Sequence, residues 1–420
     1  MFGVDRKYKY LPLWAVSGAW NINREAFLSD ADWLSDLKLR ASYGVQGNVD
    51  KDTSPLVVGE WDNTQVLPDN SESNIIVSSP PNQYLRWEKT TNWNGGLDVA
   101  VLGNRIAFTA DVYRRVSDDL IGMRSLPGEN GFDYSTMNWA KLTNRAYELS
   151  LSTVNVKTKD FRWVMDFNLA HNKSKINRLN VRDNSYEPSR EGYSVGAVFS
   201  LKTAGLDENG LQMFYNKQGE KVSFNDFFGL EYGYMMGGLI PFLKSNLSAE
   251  EYRNLFTYEG TTEPKFTGGW INRFYYKNFD LTVSASFVLD QTVQEQPFYN
   301  PVQTSPGQNY SRRMSQIWSP DNTSGKYPRI MGTYTEGEEN WAYQWLGMLD
   351  PGNSYRKYDY WFKKMSYMRI NSIRLGYTFP ERLLGHIGFS SARISFEARN
   401  PFVFGSSYKG YFDPETYGNI

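Results

Sequence analysis

Two alternating runs joined by a tight link constrain this chain more than any other feature. Within residues 85–120, Trp93, Leu97, Val99 and Val101 share one parity, against Asn92, Asn94, Asp98 and Ala100. After Leu102-Gly103-Asn104-Arg105, the residues Ile106, Phe108, Ala110 and Val112 share a parity against Thr109, Asp111 and Tyr113. Side chains in a strand alternate faces, so each run has one apolar and one polar face. The Gly-Asn link suits a reversal that needs positive φ. The apolar face carries no charge from Trp93 to Val101, whereas Asp98 and Asp111 lie in mid-strand on the polar face. An apolar outside with a polar inside is the pattern of a membrane barrel around a wet lumen.

Composition supports this without deciding it. Lys plus Arg total 45 and Asp plus Glu 46, so there is no electrostatic case for a nucleic-acid partner. Aromatics make up 16% of the 420 residues, including 29 Tyr and 13 Trp. Membrane barrels place such residues in girdles at both interfaces, though a sugar-binding β protein could be equally rich. Cys is absent, which excludes a disulfide-built fold. No run approaches 18 apolar residues, so no transmembrane helix is expected. The mean hydropathy of −0.56 is compatible with a barrel, half of whose strand residues are polar. The first residues, Met1-Phe2-Gly3-Val4-Asp5-Arg6, lack the apolar core of a signal peptide.

The same alternation recurs along the chain. Strands are expected at about 13–22, 34–45, the opening hairpin, 139–154, 160–173, 268–276, 279–289, 368–379 and 391–403. Residues 46–83 read as a polar loop, and 122–138 as a medium loop. A link containing Ser29-Asp30-Ala31-Asp32 suggests a short helical turn. In the longest insertion, 174–267, Ser248 with Glu251 three residues on is a capping-box pattern for a helix over 248–256. A further loop spans 290–360. About ten strands result, their connections alternating short and long without exception, as periplasmic turns and extracellular loops do. That places Asn104, Thr158, Asn278 and Pro380 at one rim, and Asp69, Asn130, Asn225 and Asn340 at the other. A sandwich has no reason to keep this alternation, and the repeat of a propeller is missing.

Several stretches together resemble the C-terminal barrel half of SusC/RagA-type TonB-dependent outer-membrane transporters. They are residues 33–48 (WLSDLKLRASYGVQGN), 85–119, 142–179 with its NRAYELSL core, 191–206 (EGYSVGAVFSLKTAGL), 264–281 (PKFTGGWINRFYYKNFDL), 367–384 (YMRINSIRLGYTFPERLL) and 400–415 ending YKGYFDPE. The resemblance implies an all-β, antiparallel transmembrane barrel portion, about ten strands of a larger barrel of about 22. On this expectation residues 1–420 are the C-terminal part of the barrel domain, with the plug, N-terminal domain and closing strand outside them. It further implies residence in the outer membrane among its lipids, import of oligosaccharides or peptides, a SusD-like surface lipoprotein as lid, and energy from the TonB complex through an N-terminal segment. The alternatives are a passive porin or surface-anchor barrel, and a secreted carbohydrate-binding β protein.

Chemistry-bearing constellations are few. His171 and His386 are the only histidines and lie far apart, with no His/Asp cluster of metal spacing. Asp118-Asp119 and Glu336/Glu338/Glu339 sit at strand ends or in polar loops, where acids are ordinarily solvated. Neither an enzymatic activity nor a cofactor is expected. The stretch 341–361 gathers Trp341, Tyr343, Trp345, Tyr355, Tyr358, Tyr360 and Trp361. Its aromatics, chiefly Trp341, Tyr343, Trp345, Tyr358 and Trp361, are candidates for contact with a lid or with substrate. Lys38, Arg40, Asp98 and Asp111 are lumen candidates, expected to pair across the wet interior.

Overall fold

The computed structural model describes residues 3–67, 70–181, 183–235, 240–332, 337–384, 389–406 and 413–415. Ten strands form one antiparallel sheet: β1 (Trp14–Asn21), β2 (Leu34–Asn48), β3 (Glu88–Val101), β4 (Ile106–Ser125), β5 (Tyr134–Lys157), β6 (Phe161–Arg178), β7 (Phe266–Tyr276), β8 (Phe279–Gln294), β9 (Phe362–Thr378) and β10 (Arg393–Phe404). Each strand pairs with its neighbours in chain order. Among the described residues β1 and β10 are the two edges, and they do not pair with each other. The sheet is open, as the expected barrel portion requires.

Register carries the parity of the first hairpin across the whole sheet, because directly opposed residues share a face. Leu39 faces Leu97, which faces Ala110 and then Leu149 and Leu169. Further along, Trp270 joins Phe167 to Ala285. On the other face, Arg40, Gly96, Asp111 and Glu148 form one cross-strand row. Ser284 and Ser372 stand opposite each other on it in β8 and β9.

Aromatic rings fringe the apolar face at both ends. Toward the long connections Tyr43 packs on Trp14 and Trp93, with ring centroids 5.2 and 4.3 Å away. In the same belt Tyr147, His171 and Phe266 cluster. Toward the short connections Trp163 stacks on Phe274 at 5.6 Å, and Phe279 packs at a tilt on Tyr377 at 4.6 Å. At about 3.3 Å per residue and a tilt of about 40°, the Phe266–Tyr276 strand rises about 25 Å, the height of a barrel's apolar band.

The turns explain themselves locally. Between β3 and β4, Leu102, Gly103 and Asn104 all have positive φ (57°, 65° and 61°). Gly103 and Asn104 adopt this conformation readily; Leu102 does so at a cost. Lys277-Asn278 alone joins β7 to β8, with Lys277 at φ 48°.

Three expectations need correction. Residues 46–83 contain a hairpin, Val58–Leu67 paired with Asn70–Ser79. Trp61, Ile75 and Val77 share one of its faces but are exposed, and Ile75-Ile76-Val77 run together, so no sustained alternation marked it. The loop at 122–138 is mostly the far end of a long hairpin, with Ser125 opposite Tyr134. Residues past Leu120 there pair only with each other, beyond the reach of β3 and β6. The link 126–133 is therefore shorter than 22–33 or 379–392, so the alternation of lengths is not strict. Asp69 lies outside the described residues.

The two longest connections, 179–265 and 295–361, fold together into a cap with its own core. Leu201, Phe214, Phe227, Phe228 and Tyr252 from the first pack against Tyr299, Ile317, Trp345, Tyr358 and Trp361 from the second. Backbone bonds join them: Leu201 N–H donates to Lys357 and Arg329 N–H to Gly210, at 2.8 and 3.0 Å. The expected capping box is present, with Ser248 N–H donating to the Glu251 carboxylate at 2.8 Å, and the helix is Ala249–Arg253.

An Arg on the outer face of a barrel near mid-bilayer costs about 2–4 kcal/mol, whereas a lumen position tolerates charge. Val99→Arg in the full-length protein should therefore lower its folding midpoint in lipid vesicles far more than Asn94→Arg. Equal shifts would cancel the face assignment of β3.

Candidate lumen surface and loop cap

The polar face is lined with paired charges. Arg40 reaches both Asp98, Nε to Oδ2 2.8 Å, and Asp111, Nη1 to Oδ1 2.9 Å. Thr109 Oγ1 adds a bond to Asp98 at 3.1 Å. Gly96 makes room for this triad, since a Cβ there would fall 2.5 Å from Arg40 Cζ. Three of the four lumen candidates thus meet in one cluster. Lys38, directly opposite Asp98, forms no ion pair within it.

Further pairs were not legible in the sequence because their partners lie far apart along the chain. Arg273 of β7 bonds Asp166 of β6, which also accepts from Ser152 at 2.7 Å. Arg393 of β10 holds Asp280 of β8 at 2.7 Å, across Gly376 of β9. Arg369 bonds Asp413, and Glu415 at 2.9 Å. Such pairs satisfy charge on a wet face without needing a dry core.

The aromatic stretch is placed differently from the expectation. Tyr358 and Trp361 have no exposed surface and Trp345 is 4% exposed. All three are core of the cap and offer no face to a lid or a substrate. The Trp361 indole N–H donates to the Tyr355 carbonyl at 3.0 Å, and its ring stacks on Tyr327 at 5.5 Å. Trp341 and Tyr343, half-buried on the helix Glu338–Gln344, pack on this core from its edge. Trp341 makes an edge contact with Tyr232 at 4.9 Å. Burial pushes the phenols of Tyr252, Tyr355, Tyr358 and Tyr360 well up, so they stay neutral. Tyr252 donates to Asp350 at 2.8 Å.

The helix passes directly into a π-helical turn, Trp345–Leu349. Such turns recur at functional sites. Beside it opens a cleft of about 520 Å³, lined among others by Phe298, Tyr299, Met348, Asp350 and Arg356. A larger cavity, about 870 Å³, lies where the cap meets β8 and β9, lined by Glu187, Phe199, Gln294, Lys357 and Phe362. Glu187 and Lys357 approach to 3.5 Å in it. These cavities were illegible in sequence, since both connections contribute to the larger one.

The remaining candidates serve structure. His171 packs at a tilt against Tyr147 and Phe266 in the outer girdle. Asp118 pairs with Lys141 at 2.8 Å and Asp119 with Arg86 at 2.6 Å. Glu339 is raised by burial and takes Arg329 at 3.1 Å. His386 and Glu336 lie outside the described residues, as does the Glu338 side chain. Among the described residues no group of His, Asp and Glu gathers with metal-binding geometry.

No family model matches the chain. Curated relatives do, from end to end. TonB-dependent receptor P3 of Formosa agariphila is 28% identical over 433 residues, covering 99% of this chain and 39% of the relative. TonB-dependent receptor SusC of Bacteroides thetaiotaomicron is 28% identical over 432 residues, covering 100% and 39%. Along its whole length the chain is similar in sequence to these TonB-dependent receptors, SusC among them. The RagAB peptide transporter superposes with a TM-score of 0.72 at 22% identity, covering 99% of this chain and 42% of that one. The RagAB peptide importer in its open-open state gives 0.68 over 97% and 40%. The chain spans about two fifths of the length of the curated relatives it matches. These relatives are named as receptors and transporters, not enzymes, and the sheet is that of an outer-membrane β-barrel.

Trp361 fills the cap's core, and Trp→Ala in such sites costs about 3–5 kcal/mol. Trp361→Ala in the full-length protein should expose the 295–361 connection to limited proteolysis while the barrel stays heat-modifiable on gels. An unchanged digestion pattern would contradict the shared core.

Proposed function

We propose that this chain is an arc of a TonB-dependent importer barrel that carries nutrients too large for porins, oligosaccharides or peptides, across the outer membrane. The observation that carries it is one amphipathic ten-strand sheet, matched throughout its length by TonB-dependent receptors. Every backbone donor and acceptor facing hydrocarbon must be paired, so the two open edges call for further strands that close the barrel. On this proposal a plug inside the closed barrel, moved by the TonB complex, opens the path. The ion-paired face lines that path, and a SusD-like lipoprotein sits over the cap at the long-connection rim.

In the cap, Trp341 and Tyr343 are the aromatic candidates left with accessible surface, and large aromatics at a rim commonly anchor protein interfaces. A passive porin is the competing account. Cells carrying the full-length protein should lose uptake of its nutrient when TonB is deleted. Trp341→Ala with Tyr343→Ala should lower co-purification of the lipoprotein several-fold, consistent with loss of an aromatic anchor. Uptake that continues without TonB would favour the porin instead.

A further inference from the structure

On the lumen face Arg40, Asp98 and Asp111 are paired, but a row of cations on the opposite face is not. Arg114 of β4 stands directly opposite Arg145 of β5, which stands directly opposite Lys173 of β6. All three share the outward parity of Val112, Tyr147 and His171, which form the neighbouring row. In the other direction the same row continues through Trp93 to Tyr43 of the aromatic belt. Each cation is exposed, and none has an ion-pair partner among the described residues. Lys175, two residues past Lys173, and Lys265, beside the girdle's Phe266, add exposed cations on this flank.

Like charges directly opposed on a sheet repel. Nearby acids do not offset them. Asp118, on the outward face, is held by Lys141 at 2.8 Å. Glu263 lines a cleft with Lys173 but accepts from Ser174 Oγ at 2.7 Å. A cationic row against the edge of an aromatic belt stands where lipid headgroups meet water.

We propose that Arg114, Arg145 and Lys173 form a docking site for the phosphates of an anionic lipid in the leaflet at the long-connection rim. Three cations at successive strands, about 4.8 Å apart, match a headgroup bearing more than one phosphate better than a single small ion. The row then needs the lipid to relieve its own repulsion, which ties this flank of the barrel to that leaflet. The inference rests on the membrane-barrel reading of the sheet.

The test titrates full-length protein in detergent with diphosphoryl lipid A or its dephosphorylated form, and reads retained lipid by native mass spectrometry. The wild type should bind the diphosphoryl form at least about tenfold more tightly. Arg114→Gln, Arg145→Gln and Lys173→Gln should each weaken that binding by about fivefold and leave the dephosphorylated form unaffected. Lys38→Gln, on the lumen face, should change neither. Equal binding of the two lipids by the wild type overturns the proposal without any variant, as does full retention by the triple variant. Displacement by an equal concentration of inorganic phosphate would overturn the lipid assignment. Heat-modifiable migration of each protein, scored separately, shows whether the barrel itself has failed.

Discussion

The constraint on which this structure depends is the pairing of backbone groups in hydrocarbon. A chain without a long apolar helix can cross a bilayer only if each strand finds a neighbour on both sides. Here every strand of the sheet but the two edge strands does so, in chain order. With the backbone satisfied between strands, side chains are free to alternate, and one face can meet lipid while the other meets water. The parity of a single hairpin then propagates through register. Leu97 on β3 fixes Ala110 on β4, which fixes Leu149 on β5.

Both faces follow from that alternation but are stabilised differently. The outer face relies on apolar side chains bounded by two aromatic belts. The inner face relies on cross-strand ion pairs such as Arg40 with Asp98 and Asp111. Gly96 belongs to the second device, since only a missing side chain lets the guanidinium lie between the two acids. The cap is a third region with a separate core, built where two connections are long enough to bury aromatics in each other. Its stability therefore does not depend on lipid, whereas that of the sheet does.

The strands were legible because a period of two, sustained over eight or more residues, belongs to a half-buried strand and does not fit the 3.6-residue period of a helix. The lumen triad was partly legible: Asp98 and Asp111 share one hairpin, and Arg40 sits on an equally clear strand. Arg273 with Asp166 and Arg393 with Asp280 were not, because pairing across strands depends on register that no local pattern encodes. The hairpin at Val58–Leu67 was not legible because its few apolar residues, Trp61, Ile75, Ile76 and Val77, do not alternate over a full strand. The aromatic stretch was recognised as special but assigned outward. A run of Trp and Tyr looks the same whether it faces a partner or another loop, and here the 179–265 connection supplies the apolar surface that buries it.

Alternation of lipid and water along one strand is the central claim, and spin-label accessibility measures it directly. The chain has no Cys, so single Cys substitutions from 93 to 101 can each carry one label in the full-length protein in lipid vesicles. Labels at 93, 95, 97, 99 and 101 should be relaxed by oxygen and shielded from a water-soluble nickel complex. Labels at 94, 98 and 100 should show the reverse, with 96 left as Gly because Arg40 occupies the space beside it. A flat profile, or one with the opposite phase, would contradict the account.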